Sequence, residues 1–489
     1  MIVGALLVLR LGLLWLHDLP LQFDEAQYYG WSLEPAWGYY SKPPMIAWSI
    51  AAATAVCGDA QACVRAPAPI LTAFAAFVCG LLVMRLSGAR AGLWAGVAIA
   101  TMPLVAFYGG AITTDSPLLL CWAVALYTLV RASDPEGGRV NGGWWIACGI
   151  ACGLGLMSKY SFGVFAVTAL AWLIADPRRR GFLRTWGPWG CAAVAAVIWA
   201  PNVAWNVEHG FATLGHTAEI SRAGGSVERF NLAALAEFVA AQPLLLGVPI
   251  ALAAARAWMR ASRDNAAVAL GWHAFWPMAL VIGAQALFTR AHANWAAPAL
   301  IGAAIAGAAW LASPARGQAP RTRWFRVAVG CNLAVMVLLA VGPFLAPALP
   351  AAWQRLDPYA RLRGWPELGR EVAAVLVARP GLRVLSPDRR ILSEMIYYAR
   401  PHAYPVAAWN PEGTRTDHYR LLRDLAGDPD APRRAYLFVG REGGFDPDVL
   451  RAAFETLTPV GTYDGPVGSR RPERHLLIEV RGFRGYPTR

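Results

Sequence analysis

Asp24 and Glu25 stand side by side in the run FDEAQYYGW (23–31), and both are flanked by aromatic residues. At a membrane surface such a pair is costly to desolvate, so it marks a place where a proton is accepted or a hydroxyl oriented. The plainer reading makes Asp24 the cap of a helix that begins at Glu25, with the aromatics as an interfacial belt. Of 44 Lys and Arg residues only two are lysines, Lys42 and Lys159. In a chain that uses Arg nearly everywhere, a retained Lys points to a site that fits a compact ammonium and not a broad guanidinium fork. Lys42 lies in GYYSKPPM (38–45), behind Tyr39 and Tyr40 and before two prolines that restrict the backbone. Lys159 lies in MSKY (157–160), Asp115 in FYGGAITTDSPLLL (107–120), and Arg290, His292 and Asn294 in TRAHANW (289–295). Thr114 and Asp115 before Ser-Pro also read as an ordinary helix start. A lone His at a span end, as with His209 and His216, reads as an interfacial hydrogen-bonding residue.

The elements that must hold these groups are membrane spans. Of the 489 residues 56% are hydrophobic and only 15% charged, with 22 Trp, whereas a soluble chain carries roughly 25% charged residues. The net charge of +13 would suggest nucleic acid in a soluble protein, but here basic loops that orient spans account for it, and no nucleic-acid partner is expected. The Ala, Arg, Gly and Pro background reads as a GC-rich bacterial genome. All eight cysteines precede residue 332 and show no metal-ligand spacing, so no cofactor is expected and no divalent metal is indicated. Cys57 and Cys63, six apart, are spaced for a disulfide if their loop is in an oxidising compartment.

Apolar stretches of spanning length fall near 1–17, 64–84, 91–109, 116–130, 143–157, 160–175, 187–205, 232–255, 266–288, 293–312 and 325–347, giving about eleven transmembrane helices. The shorter run 44–57 reads as a helix at or dipping into the interface. One alternating set of loops holds fifteen basic residues, including Arg85, Arg131, Arg139, Arg178, Arg179, Arg180, Arg263 and Arg316; the other holds six, Lys42, Arg65, Lys159, Arg222, Arg229 and Arg290. By the positive-inside rule the N-terminus is cytoplasmic, the first span is a retained helix, and the loop 18–63 lies outside. From about Pro350 the charge density becomes ordinary. Helical patterns at 366–379 and 388–399 alternate with apolar strands at 382–386, 435–439 and 475–480, so residues 350–489 are expected to form a small α/β soluble domain outside the membrane domain 1–349. GREGG (440–444) lacks the Lys-Ser/Thr of a phosphate loop and reads as a turn.

FDEAQYYGW, GYYSKPPMIAW, VRAPAPIL (64–71), TTDSPLLL, MSKY and HANWAAPA, in that order and followed by a soluble external domain, resemble the GT-C membrane glycosyltransferases of the protein O-mannosyltransferase and lipid A aminoarabinose transferase superfamily, above all its bacterial glycosyltransferase 39-like branch. The motifs cover residues 20–300, and the chain departs from the aminoarabinose transferases in its fewer spans. The resemblance implies transfer of a sugar from a polyprenyl-phosphate donor to a lipopolysaccharide, another envelope glycan or a protein, usually with inversion, at the periplasmic face of the bacterial inner membrane. It assigns Asp24, with Glu25 beside it, to the essential carboxylate position, Asp115 to the second acidic position, and Lys42 to the donor phosphate. Physical chemistry agrees: the departing phosphate needs a cation such as Lys42, Arg65 or Lys159, and the acceptor needs a carboxylate. Tyr39, Tyr40, His292 and Asn294 are then expected to line the substrate. The rival from another class is a multi-span transporter or flippase of lipid-linked precursors, which would place ionisable groups in mid-membrane and often show internal repeats. A scaffold or sensor leaves the carboxylate pair and YYSKPP unexplained.

Overall fold

A computed structural model of the chain describes residues 1–17, 19–135, 141–222, 230–260, 265–312, 321–346, 357 and 359–487. The expected domain boundary at 349/350 lies outside them, as do Arg139, Arg229, Arg263 and Arg316 of the loop comparison. By packing, the chain divides into two compact units: Met1–Leu16, Lys42–Ser49 and Val56–Gly342 form one, and His17–Ser41, Ile50–Ala55 and Pro343–Arg489 the other. Much of the first loop therefore packs with the C-terminal region, where the sequence reading had assigned it to the membrane domain.

The first unit is helical, and the chain is a multi-pass membrane protein. Among the described residues six helices are long and apolar enough to cross a bilayer, or eight if each of two bent pairs is one span. The remaining stretches of the expected eleven fall on shorter or interrupted apolar helices. Ile2–Leu16, at 15 residues, is short for a core of about 30 Å, and Gly142–Ser158, at 17, stands at the lower limit of spanning length. The stretch 91–109 is broken, because Pro103 has no N–H to continue the ladder from Ala89–Thr101 into Pro103–Tyr108. Leu232–Leu246 and Val248–Met259 meet at 105° across Gly247, whose φ of +94° and contact with Asn332 leave no room for a Cβ. Residues 44–57 form the helix Met45–Cys57.

With no hydrophobic drive between helices in lipid, close approach must come from small side chains. A Cβ on Gly271 would lie 2.5 Å from the Gly302 carbonyl oxygen, so Ala266–Phe288 and Ala297–Ala312 pack backbone to backbone. Ala297–Ala312 is almost wholly buried, while Thr322–Leu345 keeps most of its apolar surface outward, as a lipid-facing span does. Arg10 is 3% exposed inside the first helix and donates to the Ala100 carbonyl at 2.5 Å, next to the break at Met102.

The second unit contains a mixed five-stranded sheet. With β1 Arg383–Ser386, β2 Ala407–Ala408, β3 Ala435–Arg441, β4 Phe454–Gly465 and β5 Glu473–Phe483, the order is β2-β1-β3-β5-β4. β1 runs parallel to β2 and β3, whereas β5 is antiparallel to both β3 and β4. Leu385, Tyr436, Phe438, Phe454 and Val480 build the core with Trp409. β4 lies at the edge, mostly exposed, with a register shift between Pro459 and Gly461.

Helix Phe23–Ser32 belongs to this unit and packs on helix Arg389–Tyr398. A Cβ on Gly30 would stand 3.3 Å from Ile396 Cδ1, the Tyr29 ring meets Tyr397 edge-on at 4.9 Å, and Leu21 N–H donates to the Tyr398 hydroxyl at 2.6 Å. Glu34 pairs with Arg423. The segment that carries Asp24 is thus held by its packing on helix Arg389–Tyr398.

Candidate functional site

Four helix ends of the membrane unit converge on one carboxylate. Helix Asp115–Ala132 opens at Asp115, whose N–H donates to Thr113 Oγ1 at 3.3 Å. Helix Pro103–Tyr108 ends with Tyr108, helix Gly142–Ser158 is followed by Lys159 in extended backbone, and Asn294 lies in the turn Ala293–Ala296. Asp115 is 1% exposed and accepts three hydrogen bonds: Lys159 Nζ to Oδ1 at 2.7 Å, Tyr108 Oη to Oδ2 at 2.7 Å, and Asn294 Nδ2 to Oδ2 at 2.8 Å. A buried carboxylate so engaged is an anchor for its donors.

Lys159 keeps part of its side chain accessible, so its ammonium is fixed by Asp115 while retaining a route to solvent. Lys42 is half-buried and Arg65 buried at the end of helix Gln61–Arg65. His292 lies in the turn before Ala293–Ala296, its ring against Trp295 at 5.2 Å. Partial burial, then the charges of Arg290, Lys159 and Lys42, lower the imidazole from its usual 6.5, with Glu237 opposing. The same charges make this region attractive to an anion. Asp115, Lys159 and Asn294 are therefore brought into contact, and Lys42 and His292 share their electrostatic field.

The remaining candidates belong to the other unit. Helix Phe23–Ser32 is capped by Gln22, so Asp24 is inside the first turn and is not the cap. Glu25 fills the third position of a capping box and accepts from the Gln22 N–H at 2.9 Å, which gives it a structural task. Asp24 is partly exposed at the helix N-terminus, where a carboxylate is favoured. Tyr39 is 2% exposed; its hydroxyl donates to the carbonyls of Trp31 (3.0 Å) and Glu34 (3.2 Å) and its ring stacks on Trp31 at 4.6 Å. Burial pushes its phenol up to about 12. Tyr39 thus has a part in shaping the loop, and Tyr40 is buried as well.

Sequence reasoning passed over Tyr108, one aromatic among many, and Arg10, hidden in an apolar run. An arginine inside a span was the available signal. It also passed over Tyr160, whose hydroxyl donates to Asn202 Oδ1 at 2.8 Å and accepts from Asn206 Nδ2 at 3.0 Å. The Cys57–Cys63 disulfide is formed. Cys148, Cys152 and Cys191 place their sulfurs within 4.8 Å of one another, a grouping hidden in the sequence because Gly149, whose Cβ would lie 2.6 Å from the Cys191 carbonyl oxygen, lets a second helix bring in the third thiol.

Residues 41–205 match the dolichyl-phosphate-mannose-protein mannosyltransferase family. The chain is 31% identical to the lipid A galacturonosyltransferase RgtD of Rhizobium johnstonii over 410 residues, 83% of each chain. It is 28% identical to the lipopolysaccharide core galacturonosyltransferase RgtA of the same organism over 207 residues, 42% of this chain and 41% of that one. Crystal structures of ArnT from Cupriavidus metallidurans share the fold: the apo form covers 98% of this chain and 97% of its own at a TM-score of 0.61 and 15% identity. The form bound to undecaprenyl phosphate covers 97% of both at 0.62 and 16%. With the membrane helices and the ordered motifs, these relationships establish that the chain is a glycosyltransferase and belongs to the GT-C superfamily of membrane glycosyltransferases.

Proposed function

We propose that the enzyme transfers one monosaccharide from a polyprenyl-phosphate carrier to lipid A or another part of lipopolysaccharide, at the periplasmic face of the inner membrane and with inversion. The names of the two Rhizobium relatives favour a hexuronic sugar and a lipopolysaccharide acceptor. The undecaprenyl phosphate of the similar ArnT structure favours the carrier. The observation that carries the reading is the fixed ammonium of Lys159 on buried Asp115, in a region also charged by Lys42 and Arg290. A polyprenyl-phosphate donor keeps its tail in lipid and its head at a span end, which is where these cations lie.

In the reaction the bond from sugar C1 to the carrier phosphate oxygen breaks and its electron pair stays on the phosphate. Lys42 and Lys159, with Arg65, stabilise that growing charge. The acceptor oxygen forms the new bond to C1, and its proton passes to the Asp24 carboxylate. The donor supplies the energy, so no nucleotide is needed. The fifteen-to-six bias of basic residues between the loop sets supports a cytoplasmic N-terminus and a periplasmic C-terminal unit, and an oxidising periplasm is where a Cys57–Cys63 disulfide would persist.

The test is reconstitution of the purified enzyme in liposomes with lipid A and polyprenyl-phosphate galacturonic acid, mannose or aminoarabinose in parallel. Gain of one hexuronosyl mass on lipid A with the first donor alone is expected. Transfer only from another donor overturns the sugar assignment, and no transfer to any lipopolysaccharide acceptor overturns the acceptor.

A further inference from the structure

The broken span that begins just after Lys159, Tyr160–Ala175, is followed by Asp176 and the run Pro177–Arg180. Its sixteen residues put these groups roughly 25 Å from Lys159, at the opposite ends of the spans. There the membrane unit encloses a cavity of about 770 Å³, lined by Trp172, Arg178, Arg179, Trp258, Trp272 and His273 among others. The volume falls within the range of specific small-molecule sites, roughly 300 to 1,000 Å³.

One wall is aromatic. Trp258 and Trp272 meet edge to face at 5.5 Å, and Trp172 faces His273 at 6.3 Å. The polar end is arranged unevenly. Asp176 is taken up by Arg178, which donates to it through Nε at 3.2 Å, Nη2 at 3.0 Å and the backbone N–H at 3.0 Å. Arg179 reaches the same carboxylate only at 3.6 Å, and its guanidinium lies over the Trp172 ring at 3.7 Å. Its side chain is 14% exposed, yet among the described residues it makes no hydrogen bond. A guanidinium carries five N–H donors in a fork that matches phosphate oxygens, and one held over an aromatic ring at the cavity wall, with its donors not committed to a protein acceptor, is placed to take a phosphate.

We propose that this cavity is a binding site for the headgroup of an anionic phospholipid of the phosphatidylglycerol type, its phosphate on Arg179 and its glycerol and upper acyl carbons along the tryptophan wall. Basic pockets between spans on the cytoplasmic side are suited to such headgroups, and the proposed topology puts this cavity on that side. A free phosphate would use the guanidinium and leave the apolar wall without purpose, whereas a lipid already resident in the bilayer uses both. The lipid is distinct from the sugar carrier, whose cations lie at the other span ends.

Native mass spectrometry of the purified full-length enzyme, titrated with phosphatidylglycerol or phosphatidylcholine of the same acyl chains, reads the site directly. Retention of phosphatidylglycerol should exceed that of phosphatidylcholine by about fivefold or more, the value of one basic contact, and glycerol 3-phosphate should not be retained. Arg179→Gln should abolish the preference, while Arg326→Gln, an exposed arginine outside the cavity, should keep it. Trp272→Ala should weaken phosphatidylglycerol retention with the charge intact, which decides the matter if the Arg179 variant does not fold. Equal retention of the two lipids, or a preference unchanged in both cavity variants, overturns the proposal, and retention of glycerol 3-phosphate equal to that of the lipid replaces it with a soluble-phosphate site.

Discussion

Lys159 Nζ lies 2.7 Å from Asp115 Oδ1, and this pair sits at the junction of two helix ends with the Asp115 side chain only 2% exposed. The carboxylate has lost its water and replaced it with Lys159, Tyr108 and Asn294. Breaking one partner of a buried pair leaves an uncompensated charge, at a cost of about 3 to 5 kcal/mol. Asp115→Leu should therefore lower the thermal midpoint in detergent strongly and abolish transfer. The double variant Asp115→Leu/Lys159→Met should recover much of the stability and none of the activity. A double variant as unstable as the sum of the single ones would show that the two residues act independently.

Asp24 and Glu25 are neighbours with separate tasks. Glu25 closes the capping box on Gln22, so Glu25→Ala should cost about 0.5 to 2 kcal/mol and leave a folded, partly active enzyme. Asp24→Asn keeps the side-chain shape and removes the charge proposed to accept the acceptor's proton, so on that proposal transfer should fall by about a hundredfold or more with little change in thermal midpoint. Steady-state assays of both variants beside melting curves separate the two roles, and near-normal turnover by Asp24→Asn would remove it as the base.

Legibility followed the cost of placing a group. Asp115, Lys159 and Asn294 stood out because polar residues at span ends in so apolar a chain require a reason, and they do meet. The backbone bonds of Tyr39 were not legible, because a phenol in an external loop has no mark that tells where its hydroxyl turns; here it holds the Trp31 and Glu34 carbonyls. The strands β1, β3 and β5 were visible as apolar runs, whereas β4 was not, since its residues are mostly exposed and interrupted by Pro459 and Gly461. Hydropathy also cannot distinguish a straight span from a broken one, which is why the interruptions at Pro103 and Gly247 were not legible. Arg10 was lost for a similar reason: surrounded by leucines, it was averaged away, although its bond to the Ala100 carbonyl caps a helix that Pro103 interrupts.

His292 offers a pH readout of the cations around it. Its imidazole is held below 6.5 by partial burial and by Arg290, Lys159 and Lys42. In the window between that lowered value and about 6.5 the unfolded chain binds more protons than the folded one, so this group's contribution to stability rises as pH rises through the window. Removing a positive neighbour should move the folded value back up. In Lys42→Met the His292 titration followed by NMR on histidine-labelled protein should shift upward. An unshifted curve would place Lys42 too far away to share an anion with this region.

Lys42→Arg tests the chemistry of the cation and not merely its charge. Arg is used at all but two of the 44 basic positions, so the chain tolerates it widely, and Lys42 is only half-buried, so the exchange should fold and insert normally. Pro43 and Pro44 restrict the backbone behind it, which limits how far the longer, planar guanidinium can be re-aimed. If Lys42 holds the departing phosphate as a compact point charge, Lys42→Arg should lower the turnover of donor by about tenfold or more while Lys42→Met lowers it further. If it is an anchor that reaches toward lipid phosphates, Arg serves equally well and the rate is unchanged. Turnover of a polyprenyl-phosphate sugar by the two purified variants, with donor affinity measured separately, distinguishes these outcomes, and an arginine variant indistinguishable from the parent enzyme removes Lys42 from the donor site.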